Sequence, residues 1–377
     1  MELLISQEVL IRFAAILFVL SAVVQMAYLL LVHGRLAFFK GKNDELKESP
    51  VSIVIAARNE EENLLSNLPI ILEQDYPEFE VIVINDASYD NTIDILNGYR
   101  EKYSNLRVIN VHENDHFEGG KKFAVTLGVK GAKYERLVFT DADCRPNSRR
   151  WISGLMKNRK SDESIILGYS PYRREKGFLN RLIRFDAWMT AMNYMGLSLC
   201  GLPYMGVGRN LSYTRSAFFA VGGFKSHYTL KSGDDDLLIN QIANSRNTAI
   251  CVDKDSIVES LPEKDWKSYW RQKRRHLTTG HRYKKLHKFI LLLQPLSLLC
   301  FWITAVSLLV AGVWFELVLA TVIIRVLAQI FIFNRSSQWL GQADLVILAP
   351  ILEIILILIS ASVHIANSTS KSVSWKT

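Results

Sequence analysis

Cysteine is scarce in this 377-residue sequence, and its four cysteines follow no pair spacing. They are Cys144, Cys200, Cys251 and Cys300, of which the last lies in a strongly apolar segment. Zinc sites and disulfide frameworks need characteristic cysteine spacings, so neither is indicated, and the pattern suits a reducing compartment. Internal repeats and low-complexity segments are absent as well.

The sequence also lacks the glycine-rich loop that binds phosphate in dinucleotide-binding and P-loop folds. Its first β-rich run, VSIVI, continues into Ala-Ala-Arg-Asn-Glu, with no Gly-x-Gly-x-x-Gly behind it. A sugar nucleotidyltransferase is disfavoured for the same reason, because its opening loop would be rich in glycine and basic residues. A diphosphate bound at the end of this first strand would therefore need a divalent cation to neutralise its charge.

Hydrophobic residues, by contrast, are abundant and unevenly distributed. They make up 49% of the chain, and the mean hydropathy of +0.10 is high for a soluble enzyme. The apolarity is concentrated in four segments near bilayer length, at 13–32, 289–313, 315–333 and 345–365. The first is too long for a cleavable signal peptide and has only Arg12 as a basic start, so an uncleaved anchor is predicted.

Basic residues flank the region between the first two segments. The formal net charge is +8. Eight basic residues stand just before the second segment: Arg271, Lys273, Arg274, Arg275, Arg282, Lys284, Lys285 and Lys288. Anionic lipid and the positive-inside rule explain them more simply than nucleic acid does. We predict a multi-pass protein of the inner cell membrane with residues 34–288 cytosolic and both chain ends outside, although Lys371 and Lys376 count against that tail placement.

The middle of the chain reads as a soluble α/β domain (50–288) between an anchor with its basic linker (1–49) and membrane helices with a tail (289–377). Strands are predicted at 50–56, 80–85, 106–111 and 137–139, and helices at 59–72, 89–99 and 121–133. Fully apolar strands that alternate with helices predict a parallel sheet covered on both faces.

Acidic residues follow two of the predicted strands, at the sheet edge where such folds bind ligands. Asp86 ends the second strand, and Asp141 and Asp143 follow the fourth in the stretch FTDADC. A turn would explain one such residue. Several acids at one edge indicate a site for a divalent cation and a phosphate ester.

Seven short motifs, in order, give residues 50–276 a resemblance to the family 2 glycosyltransferases, which have the GT-A nucleotide-sugar fold. The motifs are VSIVIAARNEEENL, VIVINDASYDNT, GGKKFAVTLG, DADC, GVGRNLSYTRSAFFAVGGF, GDDDLLINQIANS and QKRRH. The chain resembles the membrane-anchored bacterial synthases of polysaccharides and glycolipids in this family. The resemblance implies a nucleotide-diphosphate sugar as donor, a lipid or glycan as acceptor and membrane lipids as surroundings, with no nucleic acid as partner.

The same resemblance implies roles on the donor side of the site. Asp86 would accept a hydrogen bond from the nucleotide base, with Arg58 nearby. Asp141 would contact the ribose, and Asp143 would ligate Mg²⁺ or Mn²⁺ on the diphosphate. The basic and amide side chains implied at the ribose and diphosphate are Lys121 or Lys122, Gln272 and Arg275.

Glycosyl transfer needs a base for the proton of the acceptor hydroxyl, and burial beside other acids raises the pKa of a carboxylate toward a useful range. The GDDDL stretch supplies the candidates. Aligned on the Gly-Asp pattern of the family, Asp234 is the base and Asp235 is the second choice. One base implies a single displacement that inverts the anomeric carbon, without a covalent sugar–enzyme intermediate.

Each assignment has a plainer alternative. Asp86 could cap the following helix, and residues 234–236 could be an acidic helix start favoured by the helix dipole. The two lysines could be solvated, while Gln272 and Arg275 could belong to the membrane-surface run. The alternative function is an inactive membrane partner that binds nucleotide sugar or glycan, although such a protein would have lost the acids.

Two residues depart from the family pattern. Asn85 replaces the first Asp of a family pair, which costs little because the second carries the base contact. His276 replaces the Trp of Gln-x-x-Arg-Trp, an aromatic that lines the acceptor end of the sugar channel in polymer-making members. The replacement therefore counts against processive synthesis by this chain.

Two charged residues fall inside the apolar segments. Arg325 and Glu353 are each about eight residues, or roughly 12 Å, from the cytosolic ends of their predicted helices. An antiparallel helix pair would bring them level, so we predict an ion pair that borders a lipid or glycan path. The alternative is that Arg325 reaches the interface alone and Glu353 is neutral.

Overall fold

The computed structural model describes residues 2–41, 49–112, 120–157, 161, 164–230 and 232–369. The chain starts with the apolar helix α1 (Glu2–Tyr28), which continues through a π-helical turn (Leu29–His33) into α2 (Gly34–Ala37). The predicted anchor segment therefore forms one helical rod.

The first half of the α/β domain agrees with the predicted strands and helices. Its elements are β1 (Val51–Ala57), α3 (Glu61–Leu72), β2 (Phe79–Asp86), α4 (Thr92–Lys102), β3 (Leu106–Val111), α5 (Lys121–Gly131) and β4 (Arg136–Phe139). β1 lies between β2 and β4, β3 borders β2, and all four strands are parallel. Their carboxyl ends therefore meet at one edge of the sheet.

The second half of the domain is more irregular. Its elements are β5 (Cys144–Pro146), α6 (Trp151–Met156), β6 (Ile165–Leu167), α7 (Phe178–Leu199), β7 (Leu211–Thr214), α8 (Arg215–Ala220), α9 (Asp236–Ile242), β8 (Thr248–Ile250), β9 (Val258–Ser260) and α10 (Trp266–His276). The strand order is β3-β2-β1-β4-β7-β6-β8, and β7 runs antiparallel to both of its neighbours. The expected wholly parallel sheet is therefore wrong for this half, whose strands of three or four residues are too short to show a pattern.

The sheet has an apolar core on each face. Ile53 and Ile55 of β1 belong to one core with Trp151 of α6, whereas Val54 belongs to the other with Trp188 of α7. All five side chains are at most 1% exposed. Burial of a large apolar side chain contributes about 1.5–3 kcal/mol, so these two cores fix the strand edge that carries the acids.

Three apolar helices follow α10. They are α11 (Lys285–Val310), α12 (Phe315–Leu340) and α13 (Ala349–Thr369). Within the described residues, these three and the α1–α2 rod are the helices long and apolar enough to cross a membrane. α1, α11 and α12 share a separate apolar core in which Phe18 stacks on Phe301 with ring centroids 5.4 Å apart.

Helix α7 joins the apolar helices to the sheet. The Tyr28 hydroxyl donates to Asn193 Oδ1 (3.1 Å), and His33 Nε2 lies 3.0 Å from the same oxygen. A Cβ at Gly196 would lie 2.6 Å from the Val32 carbonyl oxygen, so only glycine permits this close approach. One core runs continuously from the α1–α2 rod through the sheet to α12 and α13. The domain limits at residues 49 and 288 remain predictions.

The predicted ion pair between the apolar helices α12 and α13 is confirmed. Arg325 Nη2 lies 2.5 Å from Glu353 Oε1, and both side chains are 5% exposed. Gln329 accepts from Arg325 Nη1 and donates to Glu353 Oε2, each at 2.8 Å. Arg325 also donates to Gln25 Oε1 (3.2 Å), so the network links α1, α12 and α13.

Candidate active site

The carboxyl edge of the sheet carries the predicted acids. Asp86 ends β2, while Asp141 and Asp143 follow β4. β2 and β4 flank β1, so these positions are two strand spacings, or roughly 10 Å, apart. The Asp86 carboxylate is fully buried and accepts from the Gly120 backbone N–H at 3.0 Å, rather than capping α4. The Arg58 guanidinium lies 5.5 Å from the centre of the Tyr89 ring at this edge.

Lys121 joins two parts of the site that are distant in sequence. Its ammonium lies 2.9 Å from Asp141 Oδ1 and 3.0 Å from Asp234 Oδ2. Burial acts to lower the pKa of Lys121, but the Asp141, Asp234 and Asp235 carboxylates together raise it well above its usual range. Lys121 is therefore a charged bridge inside the site, and the solvated alternative is wrong for it.

Lys122, offered as an alternative to Lys121, points elsewhere. Successive helical side chains diverge by about 100°, and the buried Lys122 ammonium donates to the carbonyl oxygens of His227 (2.6 Å) and Leu230 (2.9 Å). The structure therefore excludes Lys122 as a contact of the Asp141 group and gives it a structural role.

The three consecutive aspartates at the start of α9 have three different sets of partners. Gly233 has φ +98°, a left-handed conformation that suits glycine at the start of this turn. Asp234 pairs with Lys121. Asp235 accepts from the backbone N–H groups of Gly208 and Asp236, each at 2.7 Å, and caps α9.

Asp236 completes this set by joining α9 to the loop before α11. It accepts from the hydroxyls of Thr279 and Tyr283. The helix-start alternative thus describes Asp235 but does not explain Asp234, whose carboxylate faces Lys121 and the strand edge.

Electrostatics separates the two candidate bases. Burial acts to raise the pKa of Asp234, but the neighbouring Lys121 ammonium outweighs it, so the pKa is lowered. Burial, followed by repulsion from Asp234 and Asp236, raises the pKa of Asp235 to about 7. The ionised form is therefore favoured for Asp234, whereas the protonated form is favoured for Asp235.

The donor atoms beside β4 fit a hard divalent cation. Asp141, Asp143 and Cys144 each offer an atom within 4.8 Å of the others. Burial raises the pKa of the Cys144 thiol well above its usual range, which leaves a protonated sulfur that suits such an ion poorly. Burial and the Asp141 and Glu60 carboxylates raise the pKa of Asp143 to about 6, and Asp143 has no ion pair among the described residues. One or two carboxylates with substrate phosphates are a typical Mg²⁺ site.

Helix α10 places two of its predicted residues beside the acids, while its neighbouring basic residues have other partners. Gln272 and Arg275 line the same cavity as Asp141 and Asp143. Lys273 instead pairs with Asp186 (2.9 Å), and Arg274 donates to Asn367 (2.9 Å). The membrane-surface alternative is therefore wrong for Gln272 and Arg275.

The two departures from the family pattern differ in exposure, because Asn85 is buried whereas His276 is exposed. Asn85 donates to Asn110 Oδ1 (2.6 Å) and accepts from Ser88 (2.5 Å), which ties the end of β2 to β3. The surrounding protein, with Arg275 and Lys273 beside it, lowers the pKa of the exposed His276 ring. His276 thus presents a neutral ring to the cavity between α7 and α10.

Two cavities meet at the acids. The β1 cavity, of about 340 Å³, is lined by Ala56 and Glu60 at the end of β1 and by Arg271 on α10. The α7 cavity, of about 370 Å³, runs between α7 and α10 as far as Leu291 of α11. The residues common to both are Lys121, Asp141, Asp143, Gln272 and Arg275. Asp234 and Asp235 line the α7 cavity, and Arg58 and Asp86 line neither.

Sequence reasoning did not single out three further residues of the α7 cavity, namely Arg209, Tyr172 and Asp186. The Arg209 guanidinium lies 4.4 Å from the centre of the Tyr172 ring, and its buried Nη1 has no hydrogen-bond partner among the described residues. The GVGRN motif contained Arg209, but only the fold shows that its neighbours Gly208 and Asn210 are fixed by hydrogen bonds to Asp235 and Tyr169.

Residues 52–223 match the family described as "Glycosyl transferase family 2". The chain carries a family 2 glycosyltransferase domain. The matched range contains the β-strand acids and Lys121 but ends before Asp234, so the acidic stretch and α10 lie beyond it.

Curated relatives agree with this family. The chain is 27% identical over 258 residues to a probable glycosyltransferase, YdaM, of Bacillus subtilis (66% of this chain, 59% of the relative). It is 27% identical over 205 residues to a 4,4'-diaponeurosporenoate glycosyltransferase of Staphylococcus aureus (52% of each chain). It is 32% identical over 102 residues to a poly-beta-1,6-N-acetyl-D-glucosamine synthase of Staphylococcus epidermidis (27% and 24%). The chain thus matches less than two thirds of the length of each relative.

A solved structure shares the fold across almost the whole chain. The mannosyltransferase PcManGT from Pyrobaculum calidifontis, in complex with GDP-Man and Mn²⁺, is 18% identical with a TM-score of 0.58. The match covers 93% of this chain and 99% of that one. The glycosyltransferase domain therefore has the GT-A architecture, with apolar helices at both ends.

Proposed function

We propose that this protein is a membrane-bound, inverting glycosyltransferase that moves a sugar from a nucleotide-diphosphate donor to a lipid or glycan acceptor at the cytosolic membrane face. The observation that carries the proposal is the position of Lys121 between Asp141 and Asp234. Donor-side and acceptor-side carboxylates converge on one ammonium group where the two cavities meet. An inactive binding protein would not need the ionised Asp234 there.

The donor occupies the strand edge and the β1 cavity. Asp86 receives the base, with Arg58 beside it, and Asp141 contacts the ribose. A Mg²⁺ or Mn²⁺ ion bound by Asp143 would neutralise the diphosphate; the complex of PcManGT with GDP-Man and Mn²⁺ supports this combination of ligands. Gln272 and Arg275 approach the same region from α10 and offset charge on the leaving nucleotide.

Asp234 is the base in this proposal. Both Asp235 oxygens accept backbone N–H groups, whereas Asp234 is ionised and faces the cavity junction. The acceptor hydroxyl oxygen attacks the anomeric carbon as the bond to the diphosphate oxygen breaks, and Asp234 takes the hydroxyl proton. The nucleoside diphosphate leaves from the opposite face of the sugar, so the anomeric configuration inverts.

The acceptor occupies the α7 cavity, which runs from Asp143 toward the membrane helix α11. Its lining includes tyrosines and apolar side chains, among them Tyr194, Tyr269 and Leu291. Such a surface suits a sugar ring or the head of a lipid. The names of the relatives, a polysaccharide synthase and a diaponeurosporenoate glycosyltransferase, support the same two acceptor classes.

The experiment is hydrolysis of a panel of UDP- and GDP-sugars by the purified protein, with Mn²⁺ and with EDTA. We expect one donor to be cleaved in the Mn²⁺ samples, with release of the nucleoside diphosphate and little cleavage in EDTA. Asp234→Asn should bind that donor with unchanged affinity. If no sugar nucleotide is bound or cleaved, the protein is not a glycosyltransferase of this type.

A further inference from the structure

Helix α13 has the length and composition of a membrane span, yet the catalytic domain holds the chain just before it. Arg184 of α7 donates to Asp344 (2.7 and 2.9 Å) and to Gln342 Oε1 (2.7 Å) in the turn that leads into α13. The Arg184 side chain is 3% exposed. The start of α13 is therefore fixed to the catalytic domain by a buried guanidinium.

The other end of α13 is also held by the catalytic domain. Arg274 of α10 donates to Asn367 Oδ1 (2.9 Å), and Asn367 Nδ2 donates back to the Arg274 carbonyl oxygen (3.0 Å). In the first turn of α13, Ala349 and Leu352 are at most 2% exposed in the core that contains the sheet and α7, and further along Ile355 and Ile359 pack against the same core. Both ends and part of the middle of α13 thus lie against one domain.

A crossing helix could not make these contacts. The 21 residues of α13 extend about 30 Å at 1.5 Å per residue, the thickness of the hydrocarbon layer. A helix directed across that layer would carry one end away from a domain that lies on one face. The separate apolar core of the membrane bundle is built by α1, α11 and α12, and within the described residues it contains none from α13.

We propose that α13 lies along the membrane surface, on the face that carries the catalytic domain, with its outer side in the lipid headgroup–acyl boundary. The outer side is apolar: Ile351, Leu358 and Ile365 recur every seven residues and are 55–67% exposed. Acyl chains, continuous with those around α1, α11 and α12, are the partner that such a stripe fits. The proposed function, with its cytosolic catalytic domain, decides only which leaflet α13 lies in.

The placement reverses the expected position of the tail. With three crossing helices, the residues that follow Thr369 emerge on the side of the catalytic domain and not outside. Lys371 and Lys376 then join the other basic residues on one membrane face, as the positive-inside rule requires. These two lysines lie outside the described residues, so their contribution here is their charge and sequence position alone.

Cysteine accessibility tests the side on which α13 ends. An impermeant thiol reagent is applied to intact cells that carry one of three variants: Ser368→Cys, Arg246→Cys on the catalytic domain, or Ala311→Cys between α11 and α12. Labelling of the parent chain, which has the native cysteines alone, is the background. We expect Ser368→Cys to react only after permeabilisation, as Arg246→Cys does, and Ala311→Cys to react at once. A Ser368→Cys that reacts like Ala311→Cys overturns the proposal. If Ser368→Cys and Arg246→Cys both react in intact cells, the cytosolic assignment fails while the interfacial helix stands.

Depth measurements test the orientation of the helix itself. Single spin labels are placed at Ile351, Leu358 and Ile365 of the full chain in liposomes of phosphatidylethanolamine and phosphatidylglycerol, and oxygen and nickel accessibilities report their depth. An interfacial helix gives three similar, shallow depths. A crossing helix gives its greatest depth at Leu358, and that profile overturns the proposal. Neither readout depends on transferase activity.

Discussion

Arg325 on α12 and Glu353 on α13 face each other at 2.5 Å in an environment where each side chain is 5% exposed. Removal of one partner leaves the other charge buried, at a cost of at least about 2.5 kcal/mol on insertion scales. We expect Arg325→Leu and Glu353→Leu each to lower the melting temperature or the activity, and the double variant to recover part of the loss. The pair also helps to hold α13 against α12.

The matched control for this cycle is Arg335→Leu, because Arg335 lies on the same helix and donates to Gln338 instead. Its effect should add to that of Glu353→Leu. Strict additivity of Arg325→Leu with Glu353→Leu would show that the pair carries no coupling energy.

The pH profile of transfer distinguishes the two candidate bases. The profile is measured as kcat at saturating donor and Mn²⁺, so that protonation of free Asp143, whose pKa is about 6, does not contribute. If Asp234 is the base, its lowered pKa keeps it ionised, so kcat should not fall as the pH decreases through neutrality. If Asp235 is the base, kcat falls as the pH decreases through about 7, because protonation removes its acceptor. We expect the first profile.

Amide substitution tests the same assignment at fixed pH. Asp234→Asn should bind donor normally and lose about 10²–10⁴ in rate, because the amide keeps the shape but cannot take a proton. Asp235→Asn should retain more of the rate than Asp234→Asn, since its amide oxygen can keep the helix cap although its NH2 cannot accept the second backbone N–H. If Asp234→Asn turns over normally while Asp235→Asn is inactive, Asp235 is the base.

Lys121 and Lys122 form a matched pair of adjacent residues with different predicted effects. Lys121→Met removes the charge that lowers the pKa of Asp234, so the acid limb of the kcat profile at saturating donor and Mn²⁺ should move to higher pH. Lys122→Met should leave that limb in place. It should instead lower the melting temperature, because two buried carbonyl oxygens lose their donor at about 1–3 kcal/mol each. An unmoved acid limb in Lys121→Met would contradict the role of this bridge.

Arg209 is expected to act on the acceptor, because it lines the α7 cavity and not the β1 cavity. Arg209→Leu should raise the KM for the acceptor while donor hydrolysis without acceptor changes little. Tyr172→Phe is the control, since it keeps the ring beneath the guanidinium. A higher KM for the donor in Arg209→Leu would place Arg209 on the donor side instead.

The sequence was informative where signals were long or repeated. The apolar strands β1 to β4 and the acids behind them follow from pattern, and the Arg325–Glu353 pair follows from two charges in apolar helices. Strands of three or four residues are too short to show an alternation of apolar and polar residues, so the sequence did not predict the antiparallel β7. The side-chain directions of Lys121 and Lys122 and the return of α13 to Arg274 depend on tertiary packing, which local sequence does not encode.

Donor binding by Asp143→Ala tests the central claim most directly. Calorimetric titration of the cleaved sugar nucleotide, with and without Mn²⁺, compares this variant with the wild type, while circular dichroism and melting temperature verify the fold. We expect Mn²⁺ to strengthen donor binding to the wild type and to have no effect on Asp143→Ala, which lacks a carboxylate ligand. Undiminished Mn²⁺-dependent binding by Asp143→Ala would contradict the metal-assisted donor site.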